Sequence, residues 1–418
     1  MLNKIQKLTI CVLLLVGILS PEIILIITAF LYFANLVAYK KSIVNVKFLL
    51  FIFIVFLQVG LSYLCSDYYT GFKPIIQVLS LGLFIFFFVS IFDKCDLSYL
   101  IKYSIKIVTI AALLGYIQEI SYLFNLKVIY TFGGLISTNE SSLLGVSFLR
   151  LTSVYSEPSQ YVIVACVPFA CLTYNIFVNK KYNKISIFQF LIIFGSFLLT
   201  LSTNAYICLG LILIGVILKM RLSFKKIIFS AISIITLVIL LTYSDSVTDR
   251  IDSLVSFFSG HYSNQLNLSS GTWYLNLKVS QDALKDSYFL GVGMGNYGNY
   301  YLQNYFKYDS ILSTINYSSF NADDANSLFF RIQAEFGIFG YMYIIFIYYY
   351  IYKFGKKKNY SFISFSLFVL FTMRLIRYGN YLSDYWLLFM AMPLFNRMKG
   401  VKKYDYCTRR IRLRKSNA

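Results

Sequence analysis

Apolar runs close to 20 residues long recur from one end of the 418-residue chain to the other, and no other feature constrains the fold as strongly. Each is long enough to cross a hydrocarbon layer of about 30 Å at about 1.5 Å per helical residue. The runs are continuous, without period-2 alternation, and a backbone in lipid must satisfy its own hydrogen bonds. Helices are therefore expected, not a barrel. The runs predict twelve spans, at roughly 6–20, 22–39, 46–64, 75–92, 105–124, 159–178, 186–201, 204–219, 226–243, 327–353, 360–376 and 383–396. Charged residues make up only 13% of the chain, where a soluble domain carries about a quarter. The expected fold class is an all-α polytopic membrane protein, with residues 1–418 forming one integral membrane domain. The first run follows Lys4 and Lys7, lacks a small-x-small cleavage site and leads through Pro21 and Glu22 into the next, so it reads as an uncleaved span.

Sorting Lys and Arg onto alternate sides of these spans puts 28 of the 38 on one side. The positive-inside bias makes that side cytoplasmic and places both chain ends there. The basic tail 397–418 suits anionic lipid headgroups. Nucleic acid is the weaker alternative, because no folded nucleic-acid module accompanies the tail. The outer side holds two long loops, 125–158 and 244–326. The remaining cations are Lys73, Lys127, Arg150, Arg250, Lys278, Lys285, Lys307, Arg331, Arg374 and Arg377. Insertion rules disfavour them there, so function is expected on that face. Seven cysteines without CxxC spacing and a single histidine, His261, argue against a disulfide framework, a zinc site and histidine-based catalysis.

Four stretches carry chemistry. In "RLTSVYSEPSQY" (150–161) Pro158 suits a first helical turn, Glu157 complements the positive helix end, and Ser156 or Ser159 is placed to cap. A plain helix start is the bland reading, and Arg150 on the same face is the reason to look further. In the second long loop Trp273, Leu277 and Leu284 fall on one stripe, which predicts an amphipathic helix lying on the membrane or covering a cavity. After it, Gly293, Gly295 and Gly298 formally match GxGxxG but lack the preceding strand of a dinucleotide fold. Gly291, Gly293 and Gly295 instead let the backbone turn sharply or approach a ligand. In "NADDANSLFFRIQAEFGIFG" (321–340) Arg331 and Glu335 share a helix face, either as a functional pair or as a mutually neutralising structural one. In "TMRLIRYGNYLSDYW" (372–386) Arg374 and Arg377 either snorkel to the interface or make a fork suited to a phosphate or diphosphate, with Tyr378 beside them. Asp323 and Asp324 alone are poor evidence for a divalent metal.

These elements, in this order, resemble those of the O-antigen polymerases (Wzy) within the wider O-antigen polymerase/ligase superfamily. The shared features are about twelve spans, the R…S…EPS element before a mid-chain span, a large outer loop ending in "GVGMGNY", and "NSLFFRIQAEFGIFG" at the next span. The resemblance implies a GT-C-like glycosyltransferase architecture in the inner membrane, with a periplasmic active site. It implies a donor glycan on undecaprenyl pyrophosphate, attacked by a sugar hydroxyl of another lipid-linked repeat unit. A flippase and a chain-length regulator of the same pathway are the implied partners. Neither cofactor nor metal is expected, because arginines can carry the leaving-group charge. On this reading Glu157, Arg150 and Arg331 are catalytic, Glu157 as general base. Arg250, Asn326, Glu335, Arg374, Arg377, Tyr378, Gly293 and Gly295 contact substrate. Family ligases carry a His-Asn pair where this chain has Asn326-Ser327, which favours a polymerase.

Three other readings stay open. A ligase would use the same donor with a lipid-core or protein acceptor. A lipid-linked oligosaccharide flippase would show internal repeats and helices broken near the midplane, and neither is visible in the sequence. A scaffold of the assembly complex would leave the outer arginines without a reason.

Overall fold

The computed structural model describes residues 3–15, 29–31, 53, 60, 73–92, 95–134, 136, 138, 140–143, 146–220, 245–260, 267–308, 321–356, 360–381 and 384–395. The expected spans 22–39, 46–64 and 226–243 lie almost wholly outside these described residues, as do His261 and the basic tail. The rest is mostly helical. The helices are α1 (Lys4–Leu15), α2 (Lys73–Ile91), α3 (Leu97–Leu123), the short α4 (Lys127–Tyr130), α5 (Pro158–Phe177), α6 (Lys184–Leu199) and α7 (Thr203–Lys219). In the large loop follow α8 (Asp245–Ser259), α9 (Leu268–Asp286) and α10 (Tyr297–Asn304), then α11 (Leu328–Gly355), α12 (Ser361–Ile376) and α13 (Asp384–Phe395). Among the described residues α3, α5 and α11 are long and apolar enough to cross a membrane, with α6, α7, α12 and parts of α2 and α13 as shorter apolar helices. The total of twelve remains an expectation from the sequence.

One short hairpin departs from the all-helical expectation. Strand β1 (Glu140–Leu143) pairs antiparallel with β2 (Val146–Leu149), with Glu140 opposite Leu149. It lies in the first long loop and ends one residue before Arg150.

Helix α5 is the centre of the apolar core. It is buried on every side, from Tyr161 through Tyr174, as its all-round apolar sequence requires. It packs against α3, α6, α7 and α12. Pro158 takes the first helical position as expected, but neither serine caps the helix. Ser156 Oγ donates to Gln160 Oε1 and Ser159 Oγ donates to Glu157 Oε2, so both hydroxyls are engaged with side chains. Glu157 itself occupies the N-cap in an extended conformation.

The large loop builds a second core on the outer turns of α11. Phe257, Leu275, Val279, Ala283, Val292, Tyr297 and Tyr301 pack there against Phe330 and Ala334. The buried face of α9 therefore centres on Leu275, Val279 and Ala283, not on the expected stripe of Trp273, Leu277 and Leu284. The helix is held by α8 and α11 together, which turns the stripe to the flank. There Trp273 packs on Phe330 with ring centroids 4.8 Å apart.

Helix α11 is broken at Gly337, which has φ 54° and ψ −134°. This corrects the expectation of unbroken helices. The break frees backbone groups that lipid cannot satisfy, and the glycine-rich segment supplies the partners. Val292 N donates to Ala334 O (2.8 Å), Gly293 N to Glu335 O (3.0 Å), and Ile338 N to Phe289 O (2.9 Å). The approach is so close that a Cβ on Gly337 would lie 2.1 Å from Phe289 O. Gly291 and Gly293 have φ of +88° and +93°, so the turn expected of these glycines is present. What the backbone approaches is the broken helix.

Candidate active site at the outer ends of α5, α11 and α12

The segment carrying Arg150 and Glu157 is fixed from α3. Leu149 N donates to Glu119 Oε1 (3.1 Å), while Thr152 N and Ser153 N both donate to Gln118 Oε1 (3.3 and 3.0 Å). Gln118 Nε2 donates in turn to Tyr130 O and Thr152 Oγ1. Between them Leu151 fills the space beside Gly115, where a Cβ would meet it at 2.6 Å. Gln118 is buried with both its polar atoms engaged, which favours one backbone geometry for the 152–153 turn. Arg150 thus follows directly on a strand anchored to α3.

Two other elements bring arginines to the same place. Arg250 on α8 donates through Nη1 to Thr203 Oγ1 at the start of α7 (3.0 Å). Arg377, just beyond α12, donates through Nη2 to Ser269 Oγ near the start of α9 (2.6 Å). Tyr378 donates from its hydroxyl to Ser159 Oγ, which donates to Glu157 Oε2 (2.9 Å), so a hydroxyl chain runs from Tyr378 to the carboxylate.

The electrostatics tie these groups together. Burial lowers the pKa of Arg150, and Glu157, Tyr206 and Tyr378 work against it. Arg377 is lowered by burial, opposed by Tyr378, Asp324 and Glu157. Arg250 is pushed down to about 10, first by burial and then by the nearby charges of Arg150 and Arg377. Nε of Arg150 and of Arg250 is buried without a hydrogen-bond partner among the described residues. Three half-buried guanidiniums thus lie within electrostatic reach of the exposed Glu157, two of them with an Nε to spare. Such an arrangement is costly unless an anion completes it.

The remaining predicted residues form a second, deeper layer. Arg331 Nε and Glu335 Oε1 are 3.1 Å apart. Arg331 Nη1 donates to Gly379 O and Nη2 to Gln77 Oε1, its guanidinium lies 4.3 Å from the Tyr381 ring, and Tyr381 OH donates to Glu335 Oε2 (2.8 Å). Arg374 is fully buried, donates through Nη2 to Asn380 O and stacks between Tyr378 and Trp386. Arg374 and Arg377 therefore do not make the expected fork. Arg377 falls just past the end of α12 in extended backbone and is directed to the outer cluster, while Arg374 stays in the helix among the aromatics.

Both deep arginines clasp the segment 375–381. Ser327 Oγ donates to Leu375 O, Trp273 Nε1 to Ile376 O, and Tyr378 N to Asn326 O. That segment presents Arg377 and Tyr378 to the outer cluster, so the inner layer positions the outer one. Asn326, at φ 57°, keeps a buried Nδ2 without a partner among the described residues. Gly293 spends its amide on Glu335 O, and Gly295, at φ 83°, turns the chain into α10. Asp324 Oδ1 accepts from Asn321 Nδ2 and Asn326 N, closing a turn. No group of three His, Cys, Asp or Glu placed for a metal occurs among the described residues.

Several contributors do not stand out in the sequence. Gln118 and Gln77 are marked only as polar residues in apolar runs, a signal that could have found them. Tyr381 follows Tyr378 by three residues, but 37 tyrosines hide it. Ser159, Thr203 and Ser269 carry no sequence signal. No curated protein matches the chain. Residues 188–345 match the family model Wzy_C, described as O-antigen ligase, a stretch running from α6 into α11 that includes Arg250, Gly293, Asn326, Arg331 and Glu335. With the mostly helical architecture and apolar helices of membrane-crossing length, the match makes residues 188–345 similar to the O-antigen polymerase/ligase superfamily, a family associated with glycosyl transfer in membranes.

Proposed function

We propose that the protein is an O-antigen polymerase of the inner membrane, joining undecaprenyl-pyrophosphate-linked repeat units at the periplasmic face. What supports the reading is that Arg377 and Tyr378, just past α12, reach Ser269 and the Ser159–Glu157 pair, that Arg150 and Arg250 lie within electrostatic reach of them, and that two guanidinium Nε groups are unpartnered among the described residues. A diphosphate is the complementary ligand, since guanidiniums bind its oxygens in charge-assisted, often bidentate pairs.

In the reaction the hydroxyl of an acceptor sugar attacks the anomeric carbon of the donor glycan. The bond from that carbon to the diphosphate oxygen breaks, and undecaprenyl pyrophosphate leaves with the electron pair. The arginines stabilise the charge that gathers on the leaving oxygen. Glu157 takes the acceptor proton, oriented by the Ser159 hydroxyl. Arg331, Glu335 and Arg374 keep the 375–381 segment in register, and the amide of Asn326 is offered to the glycan. Topologically the site belongs to the periplasmic side, with both chain ends, a basic tail included, in the cytoplasm.

The family description favours a second reading, a ligase that transfers the glycan to lipid A-core. Asn326-Ser327 at the position of the ligases' His-Asn pair speaks for the polymerase. A transporter reading gains a broken helix, but the carbonyls freed at the break are already bonded to Val292 and Gly293. Purified protein in liposomes, given lipid-linked repeat units alone, is expected to form a ladder of glycans. A requirement for added lipid A-core would make it a ligase, and consumption of neither would end both readings.

A further inference from the structure

Just past α9 the large loop carries three apolar side chains in a row that stand clear of both cores. Tyr288 is 87% exposed, Phe289 57% and Leu290 47%. Tyr288 and Phe289 also hold the left-handed backbone region, with φ of 50° and 65°, which bulky side chains rarely adopt. The turn is nevertheless closed upon itself. Tyr288 N donates to Lys285 O (3.0 Å), Phe289 N to Leu284 O (2.8 Å), Leu290 N to Ser287 O (2.9 Å) and Gly291 N to Ser287 Oγ (2.9 Å). The tip thus offers its side chains without an open amide, which is the condition for entering a medium that cannot hydrogen-bond.

The bond from Ile338 N to Phe289 O fixes where the tip stands along α11. Before the break at Gly337, every residue from Leu328 to Phe336 except Phe329 is buried. Beyond it Ile338, Met342, Ile345, Tyr349 and Tyr352 are exposed at steps of three and four, one continuous apolar stripe. The stripe ends beside Lys353 and Lys356, whose ammonium groups lie over the Tyr349 and Tyr352 rings. From Ile338 to Lys356 the helix rises about 27 Å at about 1.5 Å per residue, against a hydrocarbon layer of about 30 Å. The break therefore coincides with one edge of that layer, and the tip lies at the same level. Helix α2 gives the same boundary independently. Its apolar part begins at Leu79, while Gln77, just before it, bonds Arg331. Tyr288, with Lys285 and Asp286 exposed behind it, has the mixed character of such an edge.

We propose that Tyr288, Phe289 and Leu290 are a membrane anchor, through which the large loop dips into the phospholipid leaflet on the side of the site, at the edge of the hydrocarbon. The lipid-facing part of α11 then begins at Ile338, and the half-helix carrying Arg331 and Glu335 stands at the level of the headgroups. The anchor also holds Val292 and Gly293, next in the chain, against the break. The inference needs α11 to cross a membrane and is independent of the reaction the protein performs.

Purified protein in phosphatidylcholine vesicles tests it, with one tryptophan added at a time. Tyr288→Trp and Leu290→Trp probe the tip, and both side chains are exposed enough for the change to leave the cores intact. Ile345→Trp, about 10 Å further along α11, serves as a depth ruler. Each signal is taken as the difference from unsubstituted protein, which carries Trp273 and Trp386. Both tip positions are expected to be quenched more by a spin label near the headgroup end of the acyl chain than by one near its far end, and to resist aqueous iodide. Position 345 should show the reverse preference between the two labels. Tip positions quenched by iodide alone stand in water, and tip positions quenched by neither agent are covered by protein. Either result overturns the proposal, as does a tip quenched as deeply as position 345. A position 345 that no lipid label reaches overturns it too, because α11 would not cross as required.

Discussion

Arg331 Nε and Glu335 Oε1 lie 3.1 Å apart, one turn from each other on α11, and both side chains are withdrawn from solvent. Every other polar atom they present is also engaged, by Gly379, Gln77 and Tyr381. Removing either partner leaves a buried charge uncompensated, at a cost of about 3–5 kcal/mol. Arg331→Ala and Glu335→Ala are each expected to lower the melting midpoint and the folded yield sharply. The double variant Arg331→Met/Glu335→Leu should recover much of that loss. A double variant no better than the singles would show that the pair is not acting as a neutralising unit.

The break in α11 depends on Gly337. A methyl group there would meet Phe289 O at 2.1 Å, and its φ of 54° is strained for any side chain. Gly133 is the internal control, since it has φ of 72° with nothing within 4 Å of an added Cβ. Gly133→Ala should cost only the conformational strain, about 1–3 kcal/mol. Gly337→Ala should cost clearly more, because the 289–293 segment must move. Thermal unfolding of the two variants side by side checks this, and equal losses would mean the segment is not seated in the break.

Arg250 gives the site a pH signature. Its folded-state pKa is lowered to about 10 by burial and by Arg150 and Arg377, so the cost of holding this cation is full below that pH. The cost disappears as pH rises from about 10 toward the ordinary arginine value, where the folded state has already released the proton. A bound anion offsets the same cost. Inorganic pyrophosphate is therefore expected to raise the melting midpoint at pH 8, with the gain shrinking as pH passes about 10. Arg250→Ala should lose most of the gain at pH 8. A gain that persists unchanged above pH 10 would assign the effect to other groups.

Gln118 positions the segment leading from Arg150 through hydrogen bonds to the 130 and 152–153 backbone and to the Thr152 hydroxyl. Gln118→Leu leaves buried amides unsatisfied and is expected to cost about 1–3 kcal/mol of stability. Because the strand shifts, donor KM should rise, while a protein lacking only stability would recover normal KM at low temperature. Measuring KM at 10 °C separates the two.

Much of this arrangement is legible in the sequence. Apolar periodicity locates α5, α11 and α12 within one or two residues, because a span has to be apolar throughout its length. Cations in the expected outer loops single out Arg150, Arg250 and Arg377, and the structure puts these three within electrostatic reach of one another. What stays hidden depends on tertiary placement. Arg374 and Arg377 are three apart, so they read as one face, yet α12 ends at Ile376 and the second leaves the helix. The break at Gly337 is invisible in a continuous apolar run, because its partner segment lies more than 40 residues earlier. The buried face of α9 does not follow its apolar stripe because two helices, α8 and α11, clasp it at once.

Donor affinity under removal of the outer charges is the most direct measurement. The affinity of purified protein in nanodiscs for a polyprenyl-diphosphate-linked repeat unit is compared with that of Arg150→Gln, Arg250→Gln and Arg377→Gln. Each lost charge-assisted bond is worth about 1.5–3 kcal/mol, roughly tenfold to a hundredfold in affinity. Losses of that size in all three variants, with Lys278→Gln unaffected, are predicted. Unsubstituted affinity in all three would contradict a diphosphate held between them.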